Sequence, residues 1–590
     1  MDIEIPEDLR EKMTRPRSFE RFGTLENLLR TFRPGERLVL YCLTVALAAS
    51  TLALLVGVNS AVSVIVPAAG GSLTEGIVGP PRFINPILAI SQADEDLTQL
   101  VYSGLTRALP DGSVVPSMAS NYEISKDGTT YTFTIRPDAT FHDGTPVKAS
   151  DVLFTVQAAQ NPDIKSPRRA DWEGVTVSSP DEQTVIFKLP HAYAPFLENT
   201  TLGILPKHLW SSVSSEEFPF NPLNTHPVGS GPYRVSSFKT DGTGAAESFT
   251  LTAFKQFPPR APHLQKITFL FYPNEKALIK AMNAGEVDSM TNISPAGLAS
   301  LKRTDSVIMH VPLPRVFGVF FNQGHSPALR DASVRAALSA AVDKNTLVEE
   351  ILKGYGAVLN GPIPPGVLLN QSSAPNSSTA NVAKDAYSEK ARGILSRGGW
   401  IFDEKAKVWK KNKQTLSIAL ATADAPELSA TANAIAEFWR ASGVVVDVHI
   451  YPISEFNTNV IRPRSYDAVF FGEVVGRTLD LFAFWHSSQR NDPGLNLAMY
   501  ANAKADSLLA QARATTDRRA REKLYGTFAA AVDKDQPAIF LYSPEFIYVV
   551  PKALEGIKLG ALITPSERFL NVADWYTETE HVWDFFTEPI

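Results

Sequence analysis

One short segment near residue 480 gathers side chains suited to holding a small molecule. Glu473, Arg477 and Asp480 place charges of both signs within eight residues, and Phe471 and Trp485 flank them. Aromatic rings can line an apolar pocket that has one polar edge, and Trp485 is the strongest aromatic candidate. The guanidinium of Arg477 favours an anionic group. The alternative interpretation is structural, with the charges in a solvated loop and the rings in a hydrophobic core.

The sequence lacks the motifs of several common enzyme classes. None of the ten histidines begins an HExxH zinc motif, and no Walker A loop is present. The run at 229–232 reads Gly-Ser-Gly-Pro, which is typical of a turn and does not have the spacing of a nucleophile elbow. The single cysteine, Cys42, lies in an apolar stretch, so no intrachain disulfide can form. The sequence therefore offers no candidate for a catalytic residue, a metal ligand or a cofactor site, and an enzyme is the third hypothesis, which a hydrolase assay on the outer part would test.

Length and composition indicate a folded protein with more than one domain. The 590 residues exceed what one hydrophobic core usually organises. A hydrophobic content of 44% with a charged content of 20% is typical of globular chains. The net charge of −6 argues against a nucleic-acid partner, because such proteins carry a basic surface.

A long uncharged segment near the N-terminus predicts a membrane span. No charged residue lies between Arg37 and Glu75, and residues 38–66 are almost wholly apolar. A bilayer core of about 30 Å needs roughly 20 helical residues, so this segment is long enough. A cleavable signal peptide is the main alternative, but its apolar region has about 7–15 residues close to the terminus. We predict a cytoplasmic tail over 1–37 and an uncleaved signal anchor over 38–66.

Basic residues predict the orientation of this span. Arg30, Arg33 and Arg37 precede it, and the next basic residue along the chain is Arg82. The excess of positive charge on the N-terminal side places the tail in the cytoplasm and the large C-terminal part outside. Cys42 precedes the apolar run, the reverse of the order in a lipoprotein signal, so we interpret it as a small residue of the membrane helix.

The elements that must position the candidate site alternate in a mixed α/β pattern. Tyr131, Phe133 and Ile135 alternate with polar residues, which predicts a strand with one buried face. A further strand, 466–471, leads directly into the candidate segment. Helices are predicted over 425–443, 501–514 and 518–532, and another strand over 444–450.

Several motifs, in order and spacing, closely resemble those of the family-5 extracellular solute-binding proteins. The segment 141–152 reads FHDGTPVKASDV, which is similar to the signature of that family. The segments VGSGPYR at 228–234 and NAGEVD at 283–288 resemble two further family motifs. Family members deliver peptides and nickel to ABC importers, so the resemblance implies a binding protein whose partners are permease subunits.

The resemblance also implies an architecture of two lobes joined by two hinge strands, closing around a ligand. On that pattern lobe I takes 67–313, lobe II takes 314–542, and 543–590 return to lobe I. The crossings are expected near 311–317 and 540–543.

The resemblance implies ligand contacts in both lobes. In peptide-binding relatives an acidic residue after the strand equivalent to 466–471 holds the peptide amine, whereas this chain has Gly476 there. Glu473 and Asp480 are the nearby carboxylates that could replace it. The loop 75–85 corresponds to a segment that touches ligand in relatives. The candidate ligand-binding residues are therefore Glu75, Asn85, Asn322, Phe471, Glu473, Arg477, Asp480 and Trp485.

The sequence thus predicts a membrane-anchored extracytoplasmic binding protein of an ABC import system. It would capture a peptide-like or other small polar solute between its lobes and present it to a permease. The alternative is a surface receptor that uses this fold without an importer. The tail supports that alternative, because its eight Lys or Arg and eight Asp or Glu residues could contact a partner.

Overall fold

A computed structural model of the protein describes residues 31–258, 260–365, 384–477, 479–560 and 562–586. The chain separates into a helical unit, Met1–Ala68 with Thr579–Ile590, and a main unit, Ala69–Glu578. Most of the predicted cytoplasmic tail lies outside the described residues. The two units are considered in turn.

The helical unit contains the helix Pro34–Val62, none of whose residues is buried. Its mean hydropathy reaches 2.3, so it is long and apolar enough to cross a membrane. The helix ends four residues before the end of the predicted span. Ser63–Pro67 instead form a strand, because the β-branched Val64, Ile65 and Val66 favour extended backbone.

That strand pairs antiparallel with Thr579–Trp583 at the other end of the chain. Residues from 579 onwards therefore belong to the helical unit, whereas the predicted return to lobe I ran to 590. The pairing joins segments more than 500 positions apart, so no local pattern in the sequence announces it.

The main unit is built on one large mixed sheet of twelve strands. Its two outer edges are the strands Val445–Tyr451 and Tyr233–Thr240. The strands between these edges, in spatial order, are Ser417–Ala423, Ala468–Val474, Arg315–Phe321, Ala538–Pro551, Ser289–Thr291, Gly70–Val78, Leu264–Tyr272 and Ala246–Ala253, with Ser306–Pro312 and Gly356–Val358 paired beside Ala538–Pro551. The remaining strands form smaller sheets: Thr106–Ala108, Val114–Pro116, Ala119–Ile124, Thr130–Ile135, Thr176–Ser178, Thr184–Lys188, Ile401–Asp403, Val408–Lys411 and Gln414–Thr415.

Helices cover the faces of these sheets. The predicted helix over 425–443 is Pro426–Ala441, and the predicted strand over 466–471 is Ala468–Val474. The α-helices of the main unit are Gln92–Val101, Ala149–Gln160, Phe196–Asn199, Lys207–Trp210, Glu275–Ala284, Pro295–Leu298, Ala332–Ala341, Lys344–Thr346, Lys384–Arg397, Pro426–Ala441, Ile453–Phe456, Phe482–Trp485, Ala503–Ala514 and Arg518–Asp535.

The long strand Ala538–Pro551 serves two separate cores. Its first half pairs with Arg315–Phe321, with Phe317 opposite Tyr542, and its second half pairs with Ser306–Pro312. One core gathers residues from Val316 to Tyr542, and the other gathers residues on both sides of that interval. The fold is therefore bilobal, with two crossings between lobe I and lobe II.

The motif at 228–234 holds the chain against the end of a helix. A Cβ on Gly229 would lie 2.0 Å from the Val101 carbonyl oxygen, and one on Gly231 would lie 2.5 Å from that of Leu100. The Gly231 N–H donates to the Val101 carbonyl at 2.8 Å. Only glycine permits so close a backbone approach, which explains why the motif contains two glycines.

Candidate functional site

A cavity of about 1050 Å³ lies between the lobes. Lobe II contributes the turn that follows the strand Ala468–Val474, with Gly476, Arg477 and Asp480 facing the cavity. Lobe I contributes the charged residues Glu95, Arg107, Asp111, Arg168, Asp171, Glu198, Arg260, Lys558, Glu567 and Asp574, together with the rings of Tyr102, Trp172, Tyr193, Phe257 and Phe569. The lining therefore combines aromatic surface with charges of both signs.

Side chains from the two lobes meet at one side of this cavity. The Arg477 guanidinium of lobe II donates to the Glu567 carboxylate of lobe I at 2.7 Å. Burial raises the pKa of the Glu567 carboxyl, and the charge of Arg477 opposes that rise. The Ile563 N–H donates to the same carboxylate at 2.7 Å. This pair holds the lobes together only while they are closed.

A second set of contacts crosses between the lobes at Tyr193. The Arg513 guanidinium lies 5.1 Å from the centre of the Tyr193 ring and 2.9 Å from Asp480. The Tyr193 hydroxyl donates to the Asp480 carboxylate at 3.4 Å, and the Ala194 N–H donates to the Arg513 carbonyl. Two of these three side chains belong to lobe II and one to lobe I. The described arrangement is therefore a closed one.

Glu95, on the helix Gln92–Val101, is an acid of the cavity wall whose titration is shifted by burial. Burial raises its pKa to about 7, and Arg168 opposes the shift. Burial also lowers the pKa of Arg315, which feels the charge of Glu95. The Arg315 Nε is buried without a hydrogen-bond partner among the described residues. The Glu95 carboxyl and the Arg315 guanidinium are thus partly desolvated groups close to the crossing into lobe II, and neighbouring groups do not fully compensate the loss of water around them.

Of the residues that the sequence singled out, Arg477 and Asp480 line the cavity. Both are engaged in the cross-lobe contacts, so they could release a partner when a solute enters. The structure places Gly476 beside them, where a Cβ would come within 3.8 Å of the Glu198 carboxylate. An acid at 476 would therefore stand next to another acid.

Glu75 does not face the cavity, although the sequence analysis names it as a ligand candidate. Its carboxylate is fully buried and accepts from Arg568 at 2.5 Å and from the Tyr548 hydroxyl at 2.7 Å. The Ser289 hydroxyl also donates to it, at 3.2 Å. Arg568 also pairs with Asp96 at 2.7 Å. This buried cluster ties the first strand of lobe I to the C-terminal part of the main unit.

The two asparagine candidates shape turns. The Asn85 side chain donates to Asn224 at 3.0 Å and accepts from the Ile87 N–H at 3.1 Å. The Asn322 side chain donates to the Arg464 carbonyl and accepts from two N–H groups that follow it in sequence. Both residues are buried and lie off the cavity wall. Such local bonding by a short amide is the usual behaviour of asparagine in turns.

The aromatic candidates lie in the core of lobe II. Trp485 is fully buried, with its ring centre 5.7 Å from that of Phe540 and 6.1 Å from that of Phe320. Phe471 is half-buried and contacts Phe456 at 5.4 Å. Neither lines the cavity. In the closed arrangement Phe471 and Trp485 therefore pack in the core of lobe II, while Arg477 and Asp480 of the same segment line the cavity.

Glu473 is buried in that same core. Only 3% of it is exposed, and neither carboxylate oxygen has a hydrogen-bond partner among the described residues. The indole N–H of Trp485 also lacks one of standard geometry. Burial raises the pKa of Glu473 well above its usual value, and the nearby Trp485 donor opposes this only weakly. Burial at this position therefore favours the neutral form of the Glu473 carboxyl.

Sequence reasoning did not single out Glu95, Tyr193, Arg513 or Glu567. They lie in four separate segments without a distinctive pattern, and only the fold brings Glu95, Tyr193 and Glu567 to one cavity and Arg513 to the cross-lobe contacts beside it. No signal in a single sequence could have found them. Among the described residues, no group of three His, Cys, Asp or Glu is arranged to hold a metal ion.

Comparison with known proteins gives a consistent result. The family described as bacterial extracellular solute-binding proteins, family 5, matches residues 113–507. The oligopeptide-binding protein AppA of Bacillus subtilis is 27% identical over 519 residues, which cover 86% of this chain and 92% of that protein.

Two solved structures share the fold. That of AppA from Bacillus subtilis in complex with a nonapeptide has a TM-score of 0.66 at 26% identity, covering 87% of this chain and 99% of its own. That of NikZ from Campylobacter jejuni in complex with Ni(L-His) has a TM-score of 0.65 at 26% identity, covering 86% and 99%. Bilobal solute-binding proteins are thus what this chain is similar to along most of its length.

Proposed function

We propose, from the premise that this chain belongs to the bacterial extracellular solute-binding proteins of family 5, that it captures peptide-like solutes at the outer face of a membrane. Members of this family bind solutes for ABC import. In this proposal the solute is a short zwitterionic peptide, the chain is held at the membrane by its N-terminal helix, and the solute is released unaltered to a permease.

The observation that carries this proposal is the charge pattern of the cavity. Arg107 and Arg168 offer positive charge on one lobe, and Glu95 and Asp171 offer negative charge on the same lobe. Burial raises the pKa of Asp171 and lowers that of Arg107, so each charged group lacks full solvation. A molecule that brings an ammonium and a carboxylate would compensate both signs at once. A short peptide with free termini has that chemistry.

The size of the cavity supports the same class of solute. Its volume, about 1050 Å³, lies at the upper end of the roughly 300–1,000 Å³ typical of small-molecule sites. A single amino acid would leave much of that space to water. The relatives named above include one crystallised with a nonapeptide and one with a nickel–histidine complex. The peptide is favoured here because the wall carries charges of both signs, which match free peptide termini.

The closing mechanism follows from the cross-lobe contacts. A solute shifts the lobes toward the closed state only by its greater affinity for that state. The contacts of Arg477 and Tyr193 add to this preference, since they exist only when the lobes meet. We place the hinge where Ala538–Pro551 changes partner, between Tyr542 and Glu545.

The helix Pro34–Val62 would act as the tether. Arg33 and Arg37 stand at its N-terminal end, and no basic residue follows it before Arg82. This asymmetry keeps the N-terminus in the cytoplasm and the main unit outside. A tether raises the effective concentration of the binding unit near a membrane-embedded permease.

A thermal-shift series on the full chain tests the proposed solute. Tri-alanine with free termini should raise the melting temperature, because a ligand at 100 times its Kd stabilises by about 2.7 kcal/mol. N-acetylated and C-amidated tri-alanine should raise it much less. A shift with nickel–histidine alone would favour the other solute class, and equal shifts with free and blocked peptides would contradict recognition of the termini.

A further inference from the structure

The last resolved strand of the chain lies beside the exit of the apolar helix. Thr579–Trp583 pair with Ser63–Pro67, so that Trp583 stands opposite Ser63, the first residue after the helix. The Trp583 indole N–H donates to the Asn59 side chain in the last turn of the helix, at 2.7 Å. The two ends of the folded chain are thus fixed together at one place.

This strand pair exposes apolar surface that water does not favour. Ile65 is 65% exposed, Phe585 is 69% exposed and Trp583 is 44% exposed. The rings of Trp583 and Phe585 contact each other at 5.6 Å, so they form one patch. An isolated two-stranded sheet is at best marginally stable in water. A covering environment would account for both the pairing and the exposed rings.

The length of the helix shows which environment that is. Roughly 20 residues cross the hydrocarbon core, and a count from Leu38, the first residue after the last charge, ends at Gly57. Asn59 then lies at the boundary between acyl chains and headgroups. Its partner Trp583 is held at the same depth by the hydrogen bond. Tryptophan is enriched at that boundary because its ring is apolar while its N–H is polar.

We propose that the strand pair Ser63–Pro67 with Thr579–Trp583 is a membrane-interface module, with Trp583 and Phe585 inserted among the headgroups of the lipid that the helix crosses. This inference rests on the proposed tether. The main unit is covalently joined to this module at both of its ends, Ala69 and Glu578. The chain therefore has two attachments to the membrane surface where a simple anchored protein has one.

The charges of the module select the type of lipid. Glu580 and Asp584 lie within the same short segment, and the sequence from 579 to 590 contains no Lys or Arg. An anionic surface would repel this segment, so a zwitterionic headgroup such as phosphatidylcholine is the matching chemistry. Insertion would come from the aromatic rings and not from basic residues.

The tryptophan content of the protein makes the inference directly measurable. Of the eight tryptophans, seven lie in the main unit and are at most 5% exposed, whereas Trp583 is 44% exposed. The full chain is reconstituted into phosphatidylcholine vesicles whose acyl chains carry bromine near the headgroup. Quenching should remove about one-eighth of the tryptophan fluorescence in the natural protein. Trp583→Phe should abolish this quenched fraction.

Two further measurements distinguish a failure of the interface module from a failure of the tether. Asn59→Ala should keep the helix in the membrane but reduce the quenched fraction, because the bond that sets the depth of Trp583 is lost. Alkaline extraction of the same vesicles reports on the helix alone. Protein that is extracted would overturn the tether, and the inference with it. Protein that is retained with Trp583 unquenched, or shielded only as protein concentration rises, would overturn the interface module and leave the tether standing.

Discussion

Glu75 in lobe I and Glu473 in lobe II are both buried acids on strands of one sheet, yet their surroundings differ in kind. Glu75 accepts hydrogen bonds from Arg568, Tyr548 and Ser289. Glu473 has no hydrogen-bond partner among the described residues. Removing a charge from water costs free energy unless partners replace the water, so hydrogen-bond partners offset the burial of Glu75 but not that of Glu473.

The comparison separates structural acids from acids available for function. The cluster around Glu75 fixes lobe I internally, and nothing in it would change when the lobes open. Glu473 lies two residues before Val475 and three before Gly476, on the strand that leads into the cavity wall. Lobe II thus keeps a buried acid without hydrogen-bond partners next to the cavity wall, whereas the cluster around Glu75 in lobe I has its partners in place.

The largest expected effect comes from breaking the lobe I cluster. Arg568→Leu leaves both Glu75 and Asp96 buried without their cation. Removing one partner of a buried ion pair typically costs about 3–5 kcal/mol in the free energy of unfolding. Urea denaturation followed by tryptophan fluorescence would measure this. A loss below about 1 kcal/mol would show that the cluster does not hold lobe I together.

A change of the opposite sign in the free energy of unfolding is expected from a substitution at Glu473 in lobe II. Glu473→Gln removes a carboxyl that is costly to ionise where it lies, so the variant should be more stable than the natural protein at pH 8. The amide of the variant cannot ionise, so the gain should grow as pH rises above the unfolded pKa, by at most about 1.4 kcal/mol for each pH unit. A pKa raised by folding means that stability is full below the unfolded value and falls as pH rises. The difference between the two proteins should therefore vanish at pH 4, and a pH-independent difference would contradict the assignment.

Arg477 sharpens the comparison at the cavity. Arg477→Ala removes the cross-lobe pair and leaves the Glu567 carboxylate buried without that cation. The closed state should weaken relative to the open state, and peptide affinity should fall by about tenfold, which corresponds to about 1.4 kcal/mol. Calorimetric titration would measure Kd. The double variant with Glu567→Ala should recover part of the loss, because the stranded acid is gone, and strictly additive losses would contradict a direct coupling.

The smallest effect is expected from Glu95. Its pKa of about 7 in the closed arrangement lies above that of a solvated carboxyl, so closure takes up a proton. Closure on an anionic or neutral solute should be favoured at a pH below about 4.5, the pKa of a solvated glutamate, and should weaken as pH rises through 7. Binding of acetylated peptide should weaken by a few-fold over this window, and Glu95→Gln should remove the pH dependence. A natural protein whose affinity for that peptide is flat between pH 5 and 8 would contradict the shift.

Whether the sequence predicts a feature of the fold or of the site depends on how far apart in the chain the residues of that feature lie. Residues that are adjacent in the chain form three of these features, and the sequence predicts all three: the apolar helix, the strand Ala468–Val474 and the turn with Arg477. The partner of Glu75 lies 493 positions away, and the partner of Asp480 in lobe I lies 287 positions away. The resemblance of the loop 75–85 to a ligand-contacting segment therefore marked Glu75 as a ligand candidate, and only the fold revealed Arg568.

The aromatic candidates illustrate a second limit. Trp485 and Phe471 are the types that line pockets, but they are equally the types that fill cores. For Phe471, on the strand Ala468–Val474, the role depends on the face that the sheet turns toward the cavity, whereas Trp485 lies on the short helix Phe482–Trp485, which packs into the core. The strand alternates side chains between its faces, and Val474 is exposed while Glu473 is buried. A single residue of register therefore decides between wall and core.

One distance measurement tests the claim that a solute is trapped between two moving lobes. The single cysteine allows a clean pair of spin labels: Cys42→Ser, with cysteines at the exposed positions Lys126 in lobe I and Lys405 in lobe II. Saturating tri-alanine should shorten and narrow the distance distribution between these labels, and Arg477→Ala should broaden it again. An unchanged distribution at peptide concentrations that raise the melting temperature would contradict closure around the solute.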